Sequence, residues 1–183
     1  MICDYEDARF VFNLWKHPYL NTSNLLEVGG ICYAPSNDEF DDDDEIEIAS
    51  LSGYYIKFLF DDNILDQLDS PEEALADFTP ILFTSKGTIR SQFQGCYSAF
   101  IITRLVVKKE HRGHKIGSRF IEEAMDIIVD RVDGDCLTIL KAYPIADDSE
   151  QKITKEQKEK VISFYKKLDF KKFKDYMYIC SDI

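Results

Sequence analysis

The stretch from Tyr97 to Phe120 constrains this chain more than any other. A β-rich apolar run, Tyr97 to Val107, passes through Lys108-Lys109-Glu110-His111-Arg112-Gly113-His114-Lys115 into a helical pattern. The run is too apolar for a surface strand and predicts the centre of a sheet. From Ile116 onward, Phe120, Ile121, Ala124, Ile127 and Ile128 make the stripe of an amphipathic helix, with Arg119, Glu122, Glu123 and Asp126 facing outward. The join between them suits an anion. The first N–H groups of a helix are unpaired, its macrodipole puts partial positive charge there, and Gly113 and Gly117 permit close approach. From Arg104 to Arg119 there are six Lys/Arg against one Glu, a local balance of +5 in a chain whose net charge is -12. A ligand with several negative charges accounts for that reversal; a glycine-relieved turn with solvated charges is the alternative.

The remaining signals place strands and helices around this unit. Ala8 to Trp15 predicts a first strand stopped by Pro18, and Asn21 to Val28 predicts a short helix ended by Gly29-Gly30. Glu45-Ile46-Glu47-Ile48 alternates as a half-buried strand does, and Ser52-Gly53 is either a hairpin turn or a bulge before Tyr54 to Phe60. Ser70-Pro71-Glu72-Glu73 predicts a capped helix start, continued by Ala74, Leu75, Phe78, Ile81 and Leu82, with Pro80 kinking or ending it. Cys136 to Tyr143 reads as a second buried strand. Thr154-Lys155-Glu156-Gln157 forms a capping box for a helix reaching Leu168, with Val161, Phe164, Tyr165 and Leu168 inward, and Asp175 to Cys180 predicts the last strand. The order is that of an α/β or α+β fold.

At 183 residues the chain has room for one full core, so a single domain over 1–183 is expected. Its charge divides the chain in two. Residues 1–95 hold 5 Lys/Arg and 19 Asp/Glu, a balance of -14, whereas 96–183 hold 17 and 15, a balance of +2. The acidic half repels phosphodiester backbones and attracts cations, so no nucleic-acid partner is expected. Its densest part, Asp38 to Glu45, predicts a solvated loop. No run is apolar enough to cross a membrane, and the acidic start Met1 to Asp7 is unlike a secretory signal, so a cytoplasmic protein is expected. The five cysteines contain no C-x-x-C pair, predict free thiols and suggest no metal site.

The central segment resembles the acetyl-CoA loop of the GCN5-related N-acetyltransferase (GNAT) superfamily, Q/R-x-x-G-x-G/A after a strand of the type L-x-V. Arg112, Ile116 and Gly117 fit, with Gly113 in an R-G-x-x-I-G variant, while Lys115 replaces the inner glycine and Lys109 the strand-end proline. Ser163 to Phe170 is similar to the family's F-Y-x-K-L-G-F element, with Asp169 in place of its glycine and Lys158 and Val161 where an Asn or Ala is usual. The resemblance covers about residues 96 to 180. A dinucleotide-binding fold does not fit, because no glycine follows the strand directly.

The resemblance implies a mixed, mostly antiparallel sheet flanked by helices, with central strands splayed around CoA. Leu105, Val106 and Val107 would offer backbone groups to the thioester and pantetheine, and Arg112, Gly113, His114, Lys115, Ile116, Gly117 and Ser118 would hold the pyrophosphate. Tyr165 would protonate the leaving thiolate, although an inward aromatic at this spacing also suits core packing. The implied activity is acetyl-CoA-dependent transfer to a primary amine, small or on a protein and expected to be cationic, by a monomer or homodimer. Residues 1–95 would form the acceptor side, with 61–95 an insertion, and 96–180 the CoA side. Thr103 stands where some relatives carry a Glu base, which leaves a water relay or an acid such as Glu45 or Glu47; His111 and His114 read as surface histidines. A non-catalytic acidic protein or nucleic-acid mimic on the same fold is the alternative.

Overall fold

The computed structural model describes residues 5–16, 25–35, 45–58, 73–130, 135–144 and 153–181. Seven strands form one sheet in the order β1-β2-β3-β4-β5-β7-β6. They are β1 (Arg9–Lys16), β2 (Leu25–Pro35), β3 (Glu45–Lys57), β4 (Ser98–Val107), β5 (Cys136–Lys141), β6 (Lys171–Phe173) and β7 (Tyr176–Ser181). Among the described residues only β4 and β5 run parallel, and every other pair is antiparallel. The helices are α1 (Glu73–Ala76), α2 (Thr79–Leu82), α3 (Ile116–Val129) and α4 (Lys155–Lys166). This is the mixed, mostly antiparallel arrangement that the resemblance implies.

β4 sits at the centre because both its faces are apolar. Phe100 and Ile102 join α3 residues Phe120, Ile121, Ala124 and Ile128 in one buried cluster, and Ala99 and Ile101 point the other way. That second face is covered by Leu75, Phe78, Ile81, Leu82, Phe83 and Phe93. Residues 75–93 therefore supply a second core layer. Their helix is broken in two: Pro80 lies in the first turn of α2, where a missing N–H costs nothing, so it starts a helix rather than kinking one. The Ser70 cap lies outside the described residues.

The predicted helix over Asn21 to Val28 is corrected from Leu25 onward, where the chain is strand β2; Asn21 to Asn24 lie outside the described residues. Gly29 and Gly30 are mid-strand and end no helix. A Cβ on Gly30 would stand 2.8 Å from ring atoms of both Phe12 and Phe120, and one on Gly29 would stand 2.6 Å from Trp15 Cη2. The glycines make room for rings that cross them, and that packing outweighs any local tendency to stop a helix.

Ser52-Gly53 is a bulge within one continuous β3. Ser52 pairs with Arg104 and Gly53 with Ile102, so Thr103 of β4 is the extra residue, and its hydroxyl donates to the Ser52 carbonyl at 3.1 Å. A Cβ on Gly53 would lie 2.4 Å from the Ile101 carbonyl oxygen, so the close approach requires glycine. The bulge also marks where the central strands part. β4 pairs with β5 only from Ser98 to Ile102, while its pairing with β3 continues to Val107.

Candidate active site

Beyond the bulge, residues 103–107 of β4 pair with β3 on one side and, among the described residues, with no strand on the other. Lys108 N–H donates to the Ile48 carbonyl, and antiparallel alternation then turns the backbone groups of Val106 toward β3 and those of Leu105 and Val107 toward the open side. The splay opens into a cavity of about 750 Å³. Leu105, Val106, Val107, Arg112, Gly113, Lys115, Ile116, Gly117, Ser118 and Tyr165 all border it. His114, also expected in the site, does not; its ring stacks on Tyr5 at 4.1 Å.

The loop reaches α3 through a 3-10 turn, Lys109–His111, then Gly113 at φ 89° and Lys115 at φ 60°. Lys115 is the helix N-cap, where Ser, Thr, Asp or Asn would normally accept a bond from a free N–H, and it makes no side-chain cap. The Ser118 hydroxyl donates to the Lys115 carbonyl at 2.8 Å. A cation at a helix N-terminus is unfavourable by itself and becomes favourable once an anion is held between them. Arg112 adds positive charge, its Nε donating to the Val107 carbonyl at 3.0 Å. An uncapped helix start, flanking cations and an apolar slot beside an open strand edge fit a diphosphate carrying a thioester arm.

Lys115 and Asp169 replace the two motif glycines, and both hold the left-handed conformation that glycine favours, Asp169 at φ 62°. Asp169 closes α4 with a Schellman pair: its N–H donates to the Lys166 carbonyl and that of Phe170 to the Tyr165 carbonyl, both at 3.2 Å. The Phe170 ring packs on Tyr165 with centroids 5.7 Å apart. Asp accepts this conformation at a cost that glycine avoids. Asp169→Gly is expected to raise stability by about 0.5–1 kcal/mol, seen as a higher denaturant midpoint at unchanged slope.

Tyr165 is 8% exposed and borders the cavity between Phe164 and Phe170. Burial alone pushes its phenol up to about 12, so the group is protonated at any ordinary pH.

The two acids considered as alternative bases lie outside the cavity lining. Glu45 is exposed and tied to Arg9 through both carboxylate oxygens; that bond lowers its pKa, and neither it nor the exposed Glu47 borders the cavity. No Asp or Glu among the described residues does. His111 is no surface histidine. The 3-10 turn folds it inward to 6% exposure, where it borders the cavity and its Nδ1 lies 3.0 Å from the Tyr5 hydroxyl. The sequence reading also missed Tyr143, Pro144 and Lys160 in the lining. Their signal was the predicted splay itself: residues just past the end of β5 and on the near face of α4 must flank it.

No helix among the described residues is long and apolar enough to cross a membrane, and they contain no group of three His, Cys, Asp or Glu that could hold a metal. Among curated proteins none matches the chain. A solved structure titled "The crystal structure of KacTA-DNA complex" is similar at a TM-score of 0.47 and 10% identity, with 94% of this chain and 93% of that chain covered. That structure includes DNA, and the expectation that excluded nucleic acid as a partner is withdrawn. The exclusion rested on the acidic balance of residues 1–95, whereas exposed charges act over only about 8 Å at physiological ionic strength and residues 104–119 carry +5 locally. A family model described as "Acetyltransferase (GNAT) domain" matches residues 79–172, more than half of the chain and all of the described cavity lining, and this chain belongs to that acetyltransferase family.

Proposed function

We propose that this protein is an acetyl-CoA-dependent N-acetyltransferase acting on a primary, cationic amine by direct attack in a ternary complex. One observation carries the reading: a single cavity joins the open edge of β4, the uncapped start of α3 and the protonated phenol of Tyr165. Residues 112–118 would hold the pyrophosphate, with backbone N–H groups at the helix start as donors. The Leu105 and Val107 backbone faces the thioester arm, where an N–H is a donor for the developing oxyanion. Tyr165 gives its proton to the departing thiolate. With no carboxylate among the described lining residues, the amine is best supplied already neutral, its proton passing to solvent.

The acidic balance of residues 1–95 supports a cationic acceptor such as a polyamine or a lysine side chain, because a negative surface steers cations and raises the on-rate. Raising NaCl is therefore expected to increase the KM of the acceptor far more than it changes kcat. A panel of amines assayed for free CoA release tests both claims. A neutral or anionic best acceptor, or a KM indifferent to salt, overturns the choice of acceptor. If no amine releases CoA while acetyl-CoA at 100 times its Kd still stabilises the fold by ~2.7 kcal/mol, the protein binds without catalysis.

A further inference from the structure

Cys96 lies just ahead of β4 and Cys180 near the end of β7, 84 residues apart in sequence, yet their Sγ atoms stand 3.2 Å apart. Both belong to the apolar cluster beneath α1 and α2, on the face of the sheet away from α3. Neither borders the cavity, so acyl transfer makes no use of them. We propose that Cys96 and Cys180 are a peroxide-responsive dithiol that closes into a disulfide and ties β7 to the root of β4.

Access sets the order of events. Cys180 is half-buried and Cys96 is 9% exposed, whereas Cys32 and Cys136 are 0% and 1% exposed. The contact with Cys180, and after it burial, push the Cys96 thiol up, which disfavours it as the first sulfur oxidised. A peroxide therefore oxidises Cys180 to the sulfenic acid, its O–O bond breaking as one oxygen goes to sulfur and the other leaves as water. The Cys96 sulfur then attacks the Cys180 sulfur and expels the hydroxyl, which leaves as water with the Cys96 proton. In sum two thiols and one hydrogen peroxide give one disulfide and two waters, the sulfurs supplying the two electrons. The sulfurs must close by about 1.2 Å to reach bonding distance. The loop so closed runs from 96 to 180 and contains β4, α3, β5 and α4, the elements that border the cavity. Oxidation therefore restricts the unfolded chain while leaving the lining in place.

The test treats the reduced full-length protein with hydrogen peroxide and maps its peptides by mass without reduction. The expected result is a Cys96–Cys180 cross-linked peptide lighter by two hydrogens than the sum of its parts, with a raised Tm that dithiothreitol reverses. Cys96→Ser should give no cross-link and instead a dimedone adduct at Cys180; if that variant does not fold, Cys180→Ser must show loss of the cross-link and of the Tm rise. Thiols that both remain open to alkylation after peroxide, a sulfenic acid that never cross-links in the wild-type chain, or bonds to Cys32, Cys136 or a second chain each overturn the proposal. None of these readouts depends on acetyltransferase activity.

Discussion

Gly117→Asp is expected to lower acetyl-CoA affinity by at least about a thousandfold in calorimetry while leaving the circular dichroism spectrum unchanged. A Cβ at Gly117 would meet Phe164 Cζ at 3.5 Å and Val107 Cγ2 at 3.6 Å, ordinary contact distances, so the fold has room for it. Both neighbours border the cavity, and the added carboxylate therefore enters it. In the first turn of α3 that carboxylate complements the macrodipole, which stabilises the apo protein by about 0.3–1 kcal/mol. Against a bound pyrophosphate the same charge acts as a repulsion of about 4 kcal/mol per unit charge at 4 Å in a partly screened site. Gly117→Ala, which adds volume without charge, separates the two effects and should lose little. Retained affinity in the Asp variant would remove this loop from the binding site.

Tyr165→Phe should reduce kcat by about 10²-fold or more, within the range typical of a lost general acid, and leave the Kd for acetyl-CoA nearly unchanged. The ring contacts with Phe164 and Phe170 survive in the variant and only the proton donor is lost. The pH profile gives a second check. With the phenol pushed up to about 12, loss of its proton cannot produce a falling limb below about pH 11, so wild-type kcat should rise as the acceptor amine deprotonates and then stay level. Unchanged turnover in the variant would return Tyr165 to packing alone.

The sequence by itself determined those parts of the protein whose signals are local. A helix announces itself by a period of 3.6 and by caps within one turn, so α3 and the capping box of α4, with Thr154 and Gln157 bonded reciprocally, stand where they were expected. An apolar run bounded by a charged, glycine-containing loop likewise placed β4 at the centre of the sheet, and of the ten loop and strand residues that the family resemblance singled out, nine border one cavity together with Tyr165. Tertiary structure decided everything that depends on residues far apart in the chain. Gly29 and Gly30 are strand residues because Phe12, Trp15 and Phe120 need their space, and Thr103 is a bulge because β3 pairs on either side of it. His111 is buried because Tyr5, 106 residues away, packs against it, and Cys96 faces a thiol 84 residues distant. β6 escaped the sequence reading because three residues are too few to show a period. The left-handed backbone at Lys115 and Asp169 belongs to the same class: neither side chain announces it, and the surrounding fold holds each residue where a glycine would rest without strain.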